Sequence, residues 1–141
     1  MSGAEQFLID TSAHVRIVRP ELDAIWGEVI DHGRIGLCEP TEAELLYSAR
    51  SKGHYAELKD ALAGMYVWRP VPDAAWRRLL ALQRQLADAG QHRSASIPDL
   101  LVAVTALHHG LTVLHYDRDF ETIAEHTELR TRWLAEAGSL D

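Results

Sequence analysis

Six acidic side chains stand where a folded chain could gather them for chemistry. Asp10 ends the apolar run Phe7-Leu8-Ile9, and Asp117 ends the longer run Leu111-Thr112-Val113-Leu114-His115-Tyr116. Strands that finish on an aspartate deliver carboxylates to the carboxyl edge of a sheet, where open α/β folds keep their ligand sites. Asp99 opens the apolar stretch Leu100-Leu101-Val102-Ala103-Val104, and Asp119 follows Asp117 by two residues. Glu42 and Glu44 lie in Thr41-Glu42-Ala43-Glu44-Leu45-Leu46. Carboxylates brought together repel, by about 4 kcal/mol for a pair 4 Å apart at the effective dielectric of a protein surface. A cation resolves that repulsion. A hard divalent ion suits an all-oxygen ligand set.

Each acid also has a purely structural explanation. Asp10 suits the cap of a helix starting at Thr11-Ser12. Ser96-Ile97-Pro98-Asp99 reads as a capping box with proline in the first turn. Asp117 and Asp119 are first-turn acids favoured by a helix dipole. Capping accounts for each one singly and leaves their convergence on one sheet edge unexplained. The helix behind Asp99 is apolar nearly all round, so its first-turn acid points into the protein or a cleft, where an unpartnered carboxylate is costly. Residues two apart face nearly opposite sides of a helix, so only one of Glu42 and Glu44 joins the group. A helical wheel puts Glu42 with Leu45, Leu46 and Ala49 on the apolar face and Glu44 opposite.

The elements that must position these acids alternate. Patterning predicts strands at 6–10, 34–38, 66–69 and 112–116, with a weak strand near 129–133. Helices are expected at 20–31, 41–52, 54–64, 73–89, 97–109 and 118–125. Pro20 suits a first helical turn, and Gly33, Gly64, Gly90 and Gly110 fall just beyond helical patterns. In helix 73–89, Ala75, Trp76, Leu79, Leu80, Leu82 and Leu86 form an apolar face beside Arg77, Arg78 and Arg84. Such alternation implies an α/β fold, a mainly parallel central sheet of four to five strands with helices on both faces.

Composition sets the outer bounds. With 141 residues, 47% hydrophobic and 25% charged, the chain suits one domain with a real core. No apolar run approaches the roughly 20 residues of a membrane span. The start carries no signal-like stretch, and the lone Cys38 fits a reducing cytoplasm as a buried small hydrophobe. The formal charge of −7 gives nucleic acid binding no support. Neutralising the acids of a metal cluster leaves the balance much closer to even, so a local basic rim remains open, with Arg50, Lys52, Arg93 and Arg118 as candidates.

The ordered set Asp10-Thr11-Ser12, Thr41-Glu42-Ala43-Glu44-Leu45-Leu46-Tyr47, Pro98-Asp99-Leu100-Leu101-Val102-Ala103 and His115-Tyr116-Asp117-Arg118-Asp119-Phe120 resembles the PIN-domain nucleases, and within them the VapC-type toxins of bacterial toxin-antitoxin pairs. The resemblance runs from residue 7 to about 134. It implies a single PIN-like domain over residues 1–141 and Mg²⁺- or Mn²⁺-dependent cleavage of RNA. It also implies a cognate antitoxin, a homodimer and no organic cofactor. It places the family's first, third and fourth acids on Asp10, Asp99 and Asp117, with Asp119 assisting. The second acid precedes two apolar residues, which matches Glu44, whereas Glu42 stands where the pattern usually has an apolar residue. Asp10, Asp99, Glu44 and Asp117 are then the metal ligands. The expected homodimer face holds Tyr47, Tyr55, Leu58 and Leu62 as exposed apolar residues.

Other chemistries fit less well. A phospho-aspartate phosphatase using Asp10 as nucleophile wants a second aspartate where Ser12 stands. A receiver domain wants a late lysine, and none follows Lys59. Zinc from His108, His109, His115 and His126 lacks the paired spacing of imidazole ligands. His108-His109 before Gly110 reads as a cationic helix end, and His115, which alternates with Asp117, as a core residue or a support for the acids. A degenerate nuclease fold acting only through protein contacts is the alternative from a different class.

Overall fold

The computed structural model describes residues 4–140. In chain order the elements are β1 (Phe7–Ile9), α1 (Thr11–Ile17), α2 (Pro20–Asp31), β2 (Ile35–Leu37), α3 (Glu39–Tyr47), α4 (Lys52–Met65), β3 (Val67–Trp68), α5 (Ala75–Asp88), α6 (Ile97–His109), β4 (Thr112–His115), α7 (Arg118–His126) and β5 (Thr131–Trp133). The five strands form one sheet in the order β3-β2-β1-β4-β5, and every neighbouring pair is parallel. This is the α/β architecture that the alternating pattern predicts.

Strand residues alternate between two cores because successive side chains point to opposite faces. Leu8 and Val113 join Leu79, Leu82, Leu86, Leu100, Val104, Phe120 and Ile123 under α5, α6 and α7. Phe7, Ile9 and Leu114 join Ile17, Leu22, Trp26 and Leu62 under α1, α2 and α4. A sheet buried on both faces needs strands that are apolar throughout. Phe7, Leu8 and Ile9 are accordingly at most 1% exposed.

Several expectations need correction. Residues 11–17 form α1, the helix that a capping role for Asp10 implies, which the predicted element ranges left out. Pro40 lies inside the first turn of α3, which starts at Glu39 and ends at Tyr47 rather than running from 41 to 52. Proline is at home there because its missing N–H would be unpaired anyway. Gly64 is interior to α4, whereas Gly33, Gly90 and Gly110 do close helices, Gly110 at φ 69° in the left-handed region. On α5 the buried stripe is Ala75, Leu79, Leu82 and Leu86, while Trp76 and Leu80 are exposed. Leu62, expected on an exposed face, is buried, and Leu58 is half-buried; Tyr47 and Tyr55 are exposed.

Candidate functional site

The chain winds outward from β1 through β2 to β3, then crosses back to lay β4 on the other side of β1. The carboxyl ends of β1 and β4 flank this reversal, where the sheet leaves a crevice. Asp10 and Asp117 stand there. The Asp10 N–H extends the ladder by donating to the Leu114 carbonyl at 3.0 Å, and the residue is 4% exposed. Its Oδ2 accepts the Ser12 N–H at 3.0 Å and the Ser12 hydroxyl at 2.7 Å. The Ser12 oxygen in turn accepts the Tyr116 N–H at 2.9 Å. One serine therefore ties the carboxylate after β1 to the backbone after β4.

Asp117 caps α7, its Oδ1 accepting the Asp119 N–H at 2.9 Å. Asp99 lies in the first turn of α6, where its N–H donates to the Ser96 hydroxyl at 3.2 Å. Asp99, Asp117 and Asp119 each bring a carboxylate oxygen within 4.8 Å of the others. Asp10 stands outside that trio, yet its charge acts on Asp99. Glu44 joins from α3, where its Oε1 accepts the Thr11 hydroxyl at 2.9 Å and its charge acts on Asp10. Glu42 turns elsewhere and pairs with Lys59 on α4 at 3.0 Å. The wheel is right that Glu42 is the more buried of the two. What Glu42 faces, however, is α4 and not the acids.

The electrostatics follow from crowding and burial. Asp99 is pushed up to about 7, first by burial and then by the charges of Asp10 and Asp117, against the pull of its Ser96 hydrogen bonds. Burial also raises Asp10, opposed by its bonds to Ser12 and reinforced by Glu44. Asp119 is raised by burial and by Asp117. A donor set made only of carboxylate oxygens, with pKa values raised by burial and then by mutual repulsion, fits a hard divalent cation, which would displace their protons.

Other groups singled out in the sequence lie apart. The His108 Nδ1 meets Arg78 at 2.9 Å and the His109 Nε2 meets the Pro70 carbonyl at 2.8 Å. Cys38 is buried beside Thr41, its thiol pushed up to about 12 by burial. Arg50, Lys52, Arg93 and Arg118 are all exposed. A cavity of about 650 Å³ at the opposite, amino edge of the sheet is lined by Gln6, Arg69, His109 and Arg130 among others and contains none of the site acids. His115, read from the sequence as a core residue or a support for the acids, accepts the Asp117 N–H at 3.1 Å. Sequence reasoning missed the Ser12–Tyr116 and Thr11–Glu44 contacts that hold the acids. Both join segments distant in sequence, although the DTS and HYD triplets mark where to look.

Residues 7–126 match the family model described as PIN domain. Ribonuclease VapC21 of Mycobacterium tuberculosis is 35% identical over 134 residues, covering 95% of this chain and 97% of that protein. The DNA-bound VapBC from Salmonella typhimurium shares the fold with a TM-score of 0.75 at 18% identity, covering 94% of this chain and 100% of that one. VapBC-5 from M. tuberculosis, a member of the VapBC family of toxin-antitoxin systems, gives a TM-score of 0.59 at 28% identity, covering 92% and 98%.

Proposed function

Since the chain belongs to the PIN-domain family, we propose that it is a Mg²⁺- or Mn²⁺-dependent endoribonuclease and the toxin of a toxin-antitoxin pair. The observation that carries this reading is the trio Asp99, Asp117 and Asp119 within 4.8 Å at the strand reversal, with Asp10 and Glu44 coupled to it. Relatives named as VapC ribonucleases supply the substrate class.

Asp10, Asp99, Asp117 and Glu44 would hold the cation, with Asp119 assisting. When bound, the ion would supply a water activated near neutral pH and a Lewis acid for the developing charge on the phosphate. The chain's own part is positioning. Ser12 fixes the Asp10 carboxylate, Thr11 holds Glu44 at the rim, and Asp99 gives up the proton that it keeps near neutral pH without a cation. The exposed Arg50, Lys52, Arg93 and Arg118 would meet the RNA backbone, and the open site suits a single-stranded or distorted segment. A cognate antitoxin would silence the enzyme, and a second copy of the chain would pack near Tyr47 and Tyr55. Cytoplasmic action agrees with one buried thiol and with helices none of which, among the described residues, is long and apolar enough to cross a membrane.

The purified protein is expected to cleave a structured RNA in Mg²⁺, to stop in excess EDTA and to recover when Mn²⁺ is added. Cleavage undiminished by EDTA, with contaminating nuclease excluded, sinks the metal mechanism. No cleavage together with no Mn²⁺-dependent thermal shift would indicate a binding module instead.

A further inference from the structure

His115 ends β4 with 0% exposure, its ring near Phe120 at 5.4 Å and Trp133 at 4.8 Å between centroids. A buried imidazole is costly unless its nitrogens find partners. Both do. The Asp117 N–H has only a hydrogen to give, so the His115 Nδ1, 3.1 Å away, must accept it through a lone pair. That leaves the ring hydrogen on Nε2, where the Glu121 Oε2 accepts it at 2.7 Å. The Thr131 hydroxyl donates to the same oxygen at 2.7 Å. A continuous chain of hydrogen bonds thus runs from β5 through α7 and β4 to the backbone of a site acid.

We propose that His115 is a positioning residue for the nuclease site. Its neutral ring, held as the Nε2–H form by Glu121 and Thr131, fixes the Asp117 backbone and so aims the Asp117 carboxylate at the cation. The inference rests on the acids being cation ligands. Asp117 sits in extended backbone between β4 and α7, with its Oδ1 committed to the start of α7. The carboxylate is only two bonds from the Cα whose N–H the imidazole holds, so turning that peptide re-aims both oxygens. An apolar residue would fill the same core space and leave the Asp117 N–H without this partner. Groups that orient ligands in this way are worth about 10–100-fold in metal affinity or activity.

Two variants separate positioning from packing. His115→Asn offers an acceptor where Nδ1 stands, whereas His115→Gln offers its polar group where Nε2 stands. Mn²⁺ affinity by calorimetry and kcat for RNA cleavage are expected to fall about 10–100-fold in His115→Gln and to be largely rescued in His115→Asn. Equal losses in both, or a His115→Gln protein with wild-type affinity and kcat, would overturn the proposal. The wild type supplies an independent reading by NMR: an N–N coupling across the hydrogen bond from the Asp117 amide to the His115 Nδ1, with Nε2 protonated. An imidazole protonated on Nδ1 overturns the proposal even if no variant folds. Should the glutamine variant fail to fold, Glu121→Leu replaces it, and coupling and Mn²⁺ affinity are expected to fall together; loss of the coupling at unchanged affinity counts against positioning. A wild-type protein that binds no Mn²⁺ and cuts no RNA defeats the nuclease reading instead, and the NMR result is then unaffected.

Discussion

At the residue scale, cap and ligand are not competing descriptions of Asp10 and Asp117. A cap engages one carboxylate oxygen: both Ser12 bonds fall on the Asp10 Oδ2, and the Asp119 N–H falls on the Asp117 Oδ1. Asparagine caps about as well as aspartate but removes the charge that would hold a divalent ion under the proposed function. Asp10→Asn, Asp99→Asn and Asp117→Asn are therefore expected to stay folded, to lose RNA cleavage and to bind Mn²⁺ more weakly. Melting curves beside cleavage assays check this, and an Asp99→Asn enzyme with full activity and unchanged metal affinity ends the metal-site reading. Glu44→Gln should abolish cleavage, while Glu42→Gln, which removes only a solvent-screened pair with the exposed Lys59, should leave it. Most of the acid set was legible because a strand's last residue and a helix's first turn are local features. The choice between the glutamates came from the motif, in which Glu44 precedes two apolar residues, and not from the wheel, which reports which side of α3 is covered and not which neighbour covers it.

At the scale of elements, α1 was foreseen only through its cap, because Thr11, Val15 and Ile17 are β-branched and weak helix formers that obscure its pattern. It forms through tertiary context: Asp10 caps it, and Ala13 and Ile17, one turn apart, are buried against the sheet. The apolar α6 and the runs of β1 and β4 were plain, since burial on all sides leaves no periodicity to misread. Edge strand β3 is short and exposed, and Pro70 and Pro72 follow it, which denies the edge further pairing. Gly36 in β2 marks a close approach that no pattern shows: the Arg69 side chain lies across it, reaching the Gln6 Oε1 at 2.7 Å. A Cβ there would overlap the Arg69 Cγ. Gly36→Ala is expected to cost about 1–3 kcal/mol by overpacking, and Arg69→Ala in the same chain should recover part of that loss. Urea midpoints of the two single variants and the double variant test it; additive losses would reject the Gly36–Arg69 conflict.

At the scale of the whole molecule, the gathered acids work against folding. Asp99 moves from 3.8 to about 7 on folding, so between those values the folded chain holds a proton that the unfolded chain has released. Its charged form is the disfavoured one: stability is full below about pH 4 and declines as pH rises toward 7. The raised Asp10 acts in the same direction. In EDTA at pH 7.5, Asp99→Asn is therefore expected to melt several degrees above the wild type, with the gap closing toward pH 4. Saturating Mg²⁺ should reverse the order, because a ligand bound only by the folded state stabilises it. Calorimetric melting points across pH decide the matter; a gap independent of pH would mean that Asp99 is not the group under strain. The topology that creates this conflict was readable from the alternating strands, but the position of β4 beside β1 was not, because strand order is set by long-range pairing.

The double duty of the carboxylates at β1 and β4 also shapes how such a gene can decay. Were the chain the toxin proposed above, surviving cells would select mutations that inactivate it. Most replacements of Asp10 or Asp117 discard a helix cap along with the charge, at a cost of about 1 kcal/mol for the cap. Aspartate to asparagine needs one base change and leaves the caps in place. Such alleles would persist as full-length, folded, silent proteins that still occupy the antitoxin, competing with intact copies for it.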